Sequence, residues 1–162
     1  MTPTIRTIAE KKLIGKSMVM SLAANRTGEL WRSFMQQRKE IRNVIGEDLY
    51  SLQVYDPSYF ADFEPGAEFI KWAAMAVSDA EEVPAGMAVF ILPGGMYAVF
   101  TYRGPASGGA QVFQYIYGTW LPSSGYTLDN RPHFEILGEK YKNDSPDSEE
   151  EIWIPITRKT EQ

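Results

Sequence analysis

The chain has 162 residues, with Lys plus Arg 16 against Asp plus Glu 21, a net charge of −5, no cysteine and one histidine, His133. Counting alone excludes disulfides, thiol nucleophiles, Cys-based metal sites and two-His zinc motifs, so no metal or other cofactor is expected. The acidic balance argues against a nucleic-acid-binding face, and the aromatic surplus (13%) suits either a pocket with aromatic walls or a β-rich core.

Residues 4–10 and 11–20 read as short strands, with Ile5, Ile8, Leu13, Ile14, Val19 and Met20 as apolar points. A helix then starts at Thr27, a candidate cap, with Glu29 in the first turn where the macrodipole favours an acid. Leu30, Trp31, Phe34, Ile41 and Ile45 recur on one helical face, and Gly46 is the expected stop. Residues 49–55 alternate like a strand. Residues 56–67 form a loop, and 68–78 read as a strand buried on both faces, although their alanines also allow a helix.

The order then repeats. Residues 86–92 and 96–103 are strands that Pro93-Gly94-Gly95 should join as a hairpin. Ser107 is a candidate cap for a second helix, whose apolar face is Val112, Phe113, Ile116, Tyr117, Trp120 and Leu121 and which Pro122 ends. Residues 132–138 form a strand, Asn143 to Glu151 a solvated acidic loop, and 152–156 the last strand. No run reaches the roughly 18 apolar residues of a membrane span, and no apolar leader opens the chain, so a cytoplasmic protein without a membrane partner is expected.

Strand–strand–helix–strand–strand, twice, predicts one α+β domain with halves 4–78 and 83–157 and a polar tail, 158–162. The tandem repeats would be related by pseudo-twofold symmetry, with two curved antiparallel sheets and two main helices around a central cleft, where ligands tend to bind.

The second half carries an ordered series of fragments. It runs Val83-Pro84-Ala85-Gly86-Met87, Pro93-Gly94-Gly95-Met96-Tyr97-Ala98-Val99-Phe100 and Tyr102-Arg103-Gly104-Pro105. Trp120-Leu121-Pro122-Ser123-Ser124-Gly125-Tyr126, His133-Phe134-Glu135 and Ile152-Trp153-Ile154-Pro155-Ile156 follow. In this order and spacing the series resembles the GyrI-like family, also called the AraC/MerR-type effector-binding domain. The first half fits through its helix and the FIKWAAMAV strand. Within the family the chain is similar to stand-alone members, including drug-binding ones carried on mobile cassettes.

The resemblance implies a ligand pocket between the halves, lined by aromatic rings, with a glutamate at its base that takes lipophilic cations. The glutamate carries over to Glu135, and the aromatic residue of the last strand to Trp153. Many members read Phe-Glu-x-Tyr, and here Leu137 stands at the Tyr position. That departure lowers a second reading, a hydrolase of strained or activated small molecules in which Glu135 is the base or activates a nucleophile. A third reading is an inhibitor that binds DNA gyrase, by analogy with the family's namesake. Because the effector domain uses residues from about 4 to 157, no direct nucleic-acid partner is expected, while a regulator or gyrase remains open as a protein partner.

Alternation puts His133, Glu135 and Leu137 on one face of their strand and Phe134 and Ile136 on the other. If Phe134 and Ile136 pack the core, Glu135 faces the second surface, which is either the cleft or, on an edge strand, solvent. A buried carboxylate is costly unless paired, and an organic cation with an apolar skeleton relieves that cost. If Ile152, Ile154 and Ile156 pack on a helix, Trp153 is expected to share that cleft. Trp31 and Phe34 on the first helix, Phe113 and Tyr117 on the second, and Tyr97 and Trp72 on strands are candidates for either pocket or core. His133 reads as a general base beside Glu135 or as a hydrogen-bonded strand residue. The binding module is the favoured reading of the three.

Overall fold

The structure is a computed structural model that describes residues 1–61, 64–142 and 145–159. The strands are β1 (Thr4–Ile8), β2 (Lys11–Ser21), β3 (Leu49–Val54), β4 (Glu68–Ala76), β5 (Ala88–Leu92), β6 (Gly95–Arg103), β7 (Tyr126–Leu128), β8 (His133–Leu137) and β9 (Glu149–Arg158). Helix α1 is Thr27–Gln37, and α2 is Gly109–Tyr115, prolonged by a π-helical stretch, Ile116–Trp120, and a last turn, Leu121–Ser123. Among the described residues no helix is long and apolar enough to cross a membrane.

All strand pairs are antiparallel, in the order β1-β6-β9-β8-β3-β4-β2-β5, with β7 added on β9. Exchanging β1 with β5, β6 with β2, β9 with β4 and β8 with β3 turns this order into its own reverse. The pseudo-twofold therefore passes between β8 and β3, where Ser51 lies opposite Glu135. The two expected sheets are thus one sheet, fused at the axis by the β3–β8 pairing.

The expected hairpin of residues 86–92 with 96–103 does not form. β5 pairs with β2 of the other half, and β1 pairs with β6, so the first strand of each half is exchanged. The connectors explain how. A Cβ on Gly94 would stand 2.6 Å from the Ile8 carbonyl oxygen and 2.8 Å from the Glu10 nitrogen, and Gly95 holds φ +141. Only glycine allows that close crossing and that dihedral.

Each exchange spans the sheet with two residues, 9–10 or 93–94, a reach of roughly 10 Å. Strands at opposite ends of the order must therefore meet at one corner, and the sheet curls. Its helix-free face turns inward and buries Leu13, Tyr50, Leu52, Leu92, Tyr97, Val99, Phe134, Ile136 and Trp153 without any covering helix. The other face carries the helices. α1 covers Ile14, Met20, Phe69, Ala73 and Met75 through Leu30 and Phe34, and α2 covers Ala98, Phe100, Ile152, Ile154 and Ile156 through Ile116.

Local endings differ from the sequence expectation in four places. α1 stops at Gln37 and tightens into a turn, so Ile41 is extended (φ −73, ψ 126) and Ile45 is off the helix. Thr27 is the first helical residue rather than the cap, and Glu29 instead takes Arg26 at 2.9 Å. Ser107 lies in a short turn, Ala106–Gly108, and α2 starts at Gly109 with no side-chain cap at Gly108. The end of the acidic run is strand, because Glu149, Glu150 and Glu151 pair with Arg103, Tyr102 and Thr101. Asn143, Asp144 and tail residues 160–162 fall outside the described residues.

Candidate ligand-binding site

The register sorts the helix-bearing face into ranks, because residues directly opposite each other in an antiparallel pair share a face. The middle rank is Ala73, Ser51, Glu135 and Ile152. One rank to one side are Lys71, Gln53 and His133. One rank to the other are Leu49 and Leu137, with Glu150 two residues before Ile152 on β9. Glu135 thus sits on the pseudo-twofold, between the patches that α1 and α2 cover.

The middle of this face is polar. Ser51, Gln53 and His133 are buried, and Glu135 Oε2 and Gln53 Nε2 are shut off from solvent with no hydrogen-bond partner among the described residues. Burial pushes the Glu135 carboxyl above its ordinary range, while the Lys71 charge and the Gln53 side chain pull it back in part. Glu150 is pushed up to about 7, first by burial and then by the charge of Glu135.

Aromatic rings gather at one end, where Tyr55, Phe60 and His133 line a cavity of about 130 Å³ with Arg131. His133 is stacked under Phe60 (centroids 5.2 Å, 19° between planes) and meets Tyr55 edge-on at 5.0 Å. Phe60 also meets Tyr117 at 5.3 Å, and Tyr117 stacks on Phe113 at 6.3 Å. Burial pushes His133 down to about 3, so the ring is neutral at physiological pH. Burial, joined by the Glu135 charge, raises Tyr55 and Tyr117, so both phenols keep their protons. The Tyr117 hydroxyl and His133 Nδ1 share a hydrogen bond at 2.7 Å, whose direction follows the imidazole tautomer. Tyr117 stands on the π-helical stretch, a local widening frequent at functional sites.

The other end is open. A groove of about 430 Å³ runs between Ile41, Leu49, Met75, Leu137 and Tyr141, with Arg38 and Lys39 at its rim. A cavity of about 300 Å³ lies beside Glu150 and includes Asp48, Thr101 and Glu139.

The candidates named from sequence divide between the two faces. Glu135, Phe113 and Tyr117 come together on the helix-bearing face. On α1, Phe34 is fully buried and Trp31 leans on it edge-on at 5.7 Å. Trp153 does not share Glu135's face, contrary to expectation. Ile152, Ile154 and Ile156 do pack on α2, but Ile152 is Glu135's own partner, so Trp153 falls opposite Phe134 on the far face. There it stacks on Phe134 at 5.1 Å and meets Tyr97 at 5.7 Å. Trp72 lies on that far face too, against Phe90 at 5.1 Å.

Sequence reasoning missed Gln53, Tyr55, Phe60, Lys71 and Glu150. A signal existed in β3. Leu49, Ser51, Gln53 and Tyr55 share a face, and two polar residues there alternate with buried Tyr50 and Leu52.

A curled antiparallel sheet with two pseudo-symmetric halves, and between their helices a band of buried polar groups bordered by rings, is the setting of a small-molecule-binding domain. The chain belongs to the GyrI-like family: the GyrI-like small molecule binding domain matches residues 1–157. The transcriptional regulator BrlR of Pseudomonas aeruginosa is 30% identical over 148 residues, which cover 89% of the chain and 51% of BrlR. The chain thus spans about half of that relative. The structure of SAV2435 bound to tetraphenylphosphonium superposes with a TM-score of 0.75 at 17% identity, covering 97% of this chain and 94% of that one. The EcmrR C-terminal domain gives 0.73 at 16% identity, covering 98% of each chain. At these identities the two structures establish the shared fold.

Proposed function

We propose that the chain is a receptor for lipophilic cations, which it takes into the helix-side cleft with Glu135 as the charge they meet. The observation that carries this reading is the Glu135 carboxylate oxygen, buried and unpartnered among the described residues. Left unpaired it costs stability, and a cation returns that cost as binding free energy. Tyr55, Phe60, Phe113 and Tyr117 offer ring faces to the same guest, each cation–π contact adding roughly 0.5–2 kcal/mol. Tetraphenylphosphonium bound to SAV2435, a protein of the same fold, supports the ligand class. In this reading Trp153, Tyr97 and Trp72 are framework, Trp31 and Phe34 seat α1, and the domain senses or sequesters its ligand. Relatives that are regulators support a relay of the bound state to a protein partner.

The hydrolase reading gains two hydroxyls beside Glu135, from Tyr55 and Tyr117, in place of the one Leu137 lacks. Both are held well above the ordinary phenol range, which makes them poor nucleophiles or bases.

Calorimetric titration with tetraphenylphosphonium and neutral triphenylphosphine oxide, on the wild type and Glu135→Gln, tests the receptor. Saturable binding of the cation alone, weakened at least tenfold (about 1.4 kcal/mol) in the variant, is expected. Equal affinity in wild type and variant, or for cation and neutral compound, overturns it.

A further inference from the structure

Glu150 is the acidic residue of β9 with neither an ion pair nor a side-chain hydrogen bond among the described residues. Its neighbour Glu149 takes Arg103 at 3.2 Å and Lys140 at 3.9 Å, and Glu151 accepts the Trp153 indole N–H at 3.2 Å. Among the described residues no ion pair reaches Glu150. Yet its alternation with Ile152 and Ile154 aims it at the helix-bearing face, one rank from Glu135. Diagonal neighbours on adjacent strands lie ~7–8 Å apart.

We propose that Glu150 is a second cation subsite beside Glu135, so that the ligand class this cleft is built for is a rigid aromatic diamine with one ammonium group on each carboxylate. This rests on the receptor reading above and narrows its ligand.

Three observations support it. First, the charges facing one another here are Glu135, Glu150 and Lys71, and one lysine cannot balance two carboxylates. Glu150 answers by holding its proton up to about 7, and a second positive charge on the guest would release it. Second, Glu135 Oε2 and Gln53 Nε2, two of the buried polar atoms without a well-formed hydrogen bond among the described residues, belong to neighbouring ranks of this face, close enough for the Gln53 side chain to act on the Glu135 carboxyl. Gln53 is only 6% exposed. An ammonium group gives Oε2 the N–H it lacks, which a quaternary cation cannot. The Gln53 amide, turned over, offers its carbonyl oxygen to the same group. Third, Glu150 borders a cavity of about 300 Å³ at the end of the strands, in whose lining Asp48, Glu139, Glu149 and Glu151 outnumber one lysine, Lys140, so the second charge has room and a favourable field.

The test compares p-xylylenediamine with 4-methylbenzylamine, which share a ring and differ in one ammonium group, by calorimetric titration of the full chain at pH 7.5. The wild type should bind the diamine at least tenfold tighter. Glu150→Gln should abolish that advantage and leave the monoamine within twofold, whereas Glu135→Gln should weaken both. Equal affinities in the wild type, a comparison that needs no variant, overturn the proposal, as does an advantage that survives Glu150→Gln. Tetraphenylphosphonium in the same series separates the two levels. If it binds in a Glu135-dependent way and the diamine has no advantage, the second subsite falls and the receptor stands. If it too fails to bind, the receptor reading falls with it.

Discussion

The two faces of the sheet use aromatic residues to opposite ends. On the inner, helix-free face, Tyr97, Phe134 and Trp153 contact one another, and both the Tyr97 hydroxyl and the Trp153 indole N–H are answered, although Arg131 Nη1 over Tyr97 is buried without a hydrogen-bond partner among the described residues. The Tyr97 hydroxyl donates to the Pro93 carbonyl at 2.9 Å, and the Arg6 and Arg131 guanidinium groups lie over Trp153 and Tyr97 at 4.8 and 4.5 Å. On the helix-bearing face Tyr55, Phe60 and Tyr117 surround groups that are not answered, Glu135 Oε2 and Gln53 Nε2. The count of rings does not distinguish a core from a binding cleft. The charge of the unpartnered group among them does: a carboxylate oxygen on the helix-bearing face, a guanidinium nitrogen on the inner one.

That contrast breaks most readily at Trp153. Trp153→Ala should cost about 3–5 kcal/mol of stability, read from urea unfolding, while cation affinity per folded molecule stays unchanged. A large loss of affinity without a loss of stability would move the binding site to the inner face. Next is Tyr117→Phe, which strips His133 Nδ1 of its hydrogen-bond partner. About 1–3 kcal/mol of destabilisation is expected, together with weaker cation binding, because this ring stands at the cleft.

The histidine itself sharpens the contrast through pH. Its folded pKa is depressed, so its contribution is full above about 6.5 and is lost as pH falls toward about 3, at up to about 1.4 kcal/mol per pH unit. Melting temperature should fall on that acid limb, and the His133 ring should show no NMR titration between pH 5 and 8. The smallest effect is expected from Glu135→Gln in the absence of ligand. A raised carboxyl contributes stability that is full below its unfolded pKa and is lost as pH rises through the folded one. For Glu150 that loss runs from about 4.5 to about 7, and Glu135, also raised by burial, adds a loss of the same sign as pH rises. Glu135→Gln should therefore be slightly more stable than the wild type at pH 8, with a flatter profile. A destabilised variant at pH 8 would mean that the carboxylate is paired after all.

Much of the fold was legible in the chain. β1 to β4, β6 and β8 lie within a residue or two of the alternating runs, because period-two burial is written in the residues themselves. The exchange of β1 and β5 was not, since periodicity says that a strand exists and not which strand it joins. The same gap misplaced Trp153. Alternation within β9 correctly set it apart from Ile152, but only the β8–β9 register decides which of the two meets Glu135. Glu150 was hidden by composition. A run of acids reads as solvated loop until strand pairing shows that its last three residues are β9. Tyr55 continues the alternation of β3, but only the β3–β8 register shows what its face meets, and Phe60 lies in the loop beyond, where no periodicity marks a side chain as turned inward.

The central claim is that the buried carboxylate at the pseudo-twofold is the element that recognises a cation. Its most direct test is proton release. Tetraphenylphosphonium should be titrated at pH 6 in two buffers of different ionisation enthalpy. Cation binding lowers the raised carboxyl pKa values, so protons should leave as the ligand enters, the observed heat should depend on the buffer, and Glu135→Gln should diminish that dependence. Binding with the same heat in both buffers, and with the same affinity in the variant, would contradict the account.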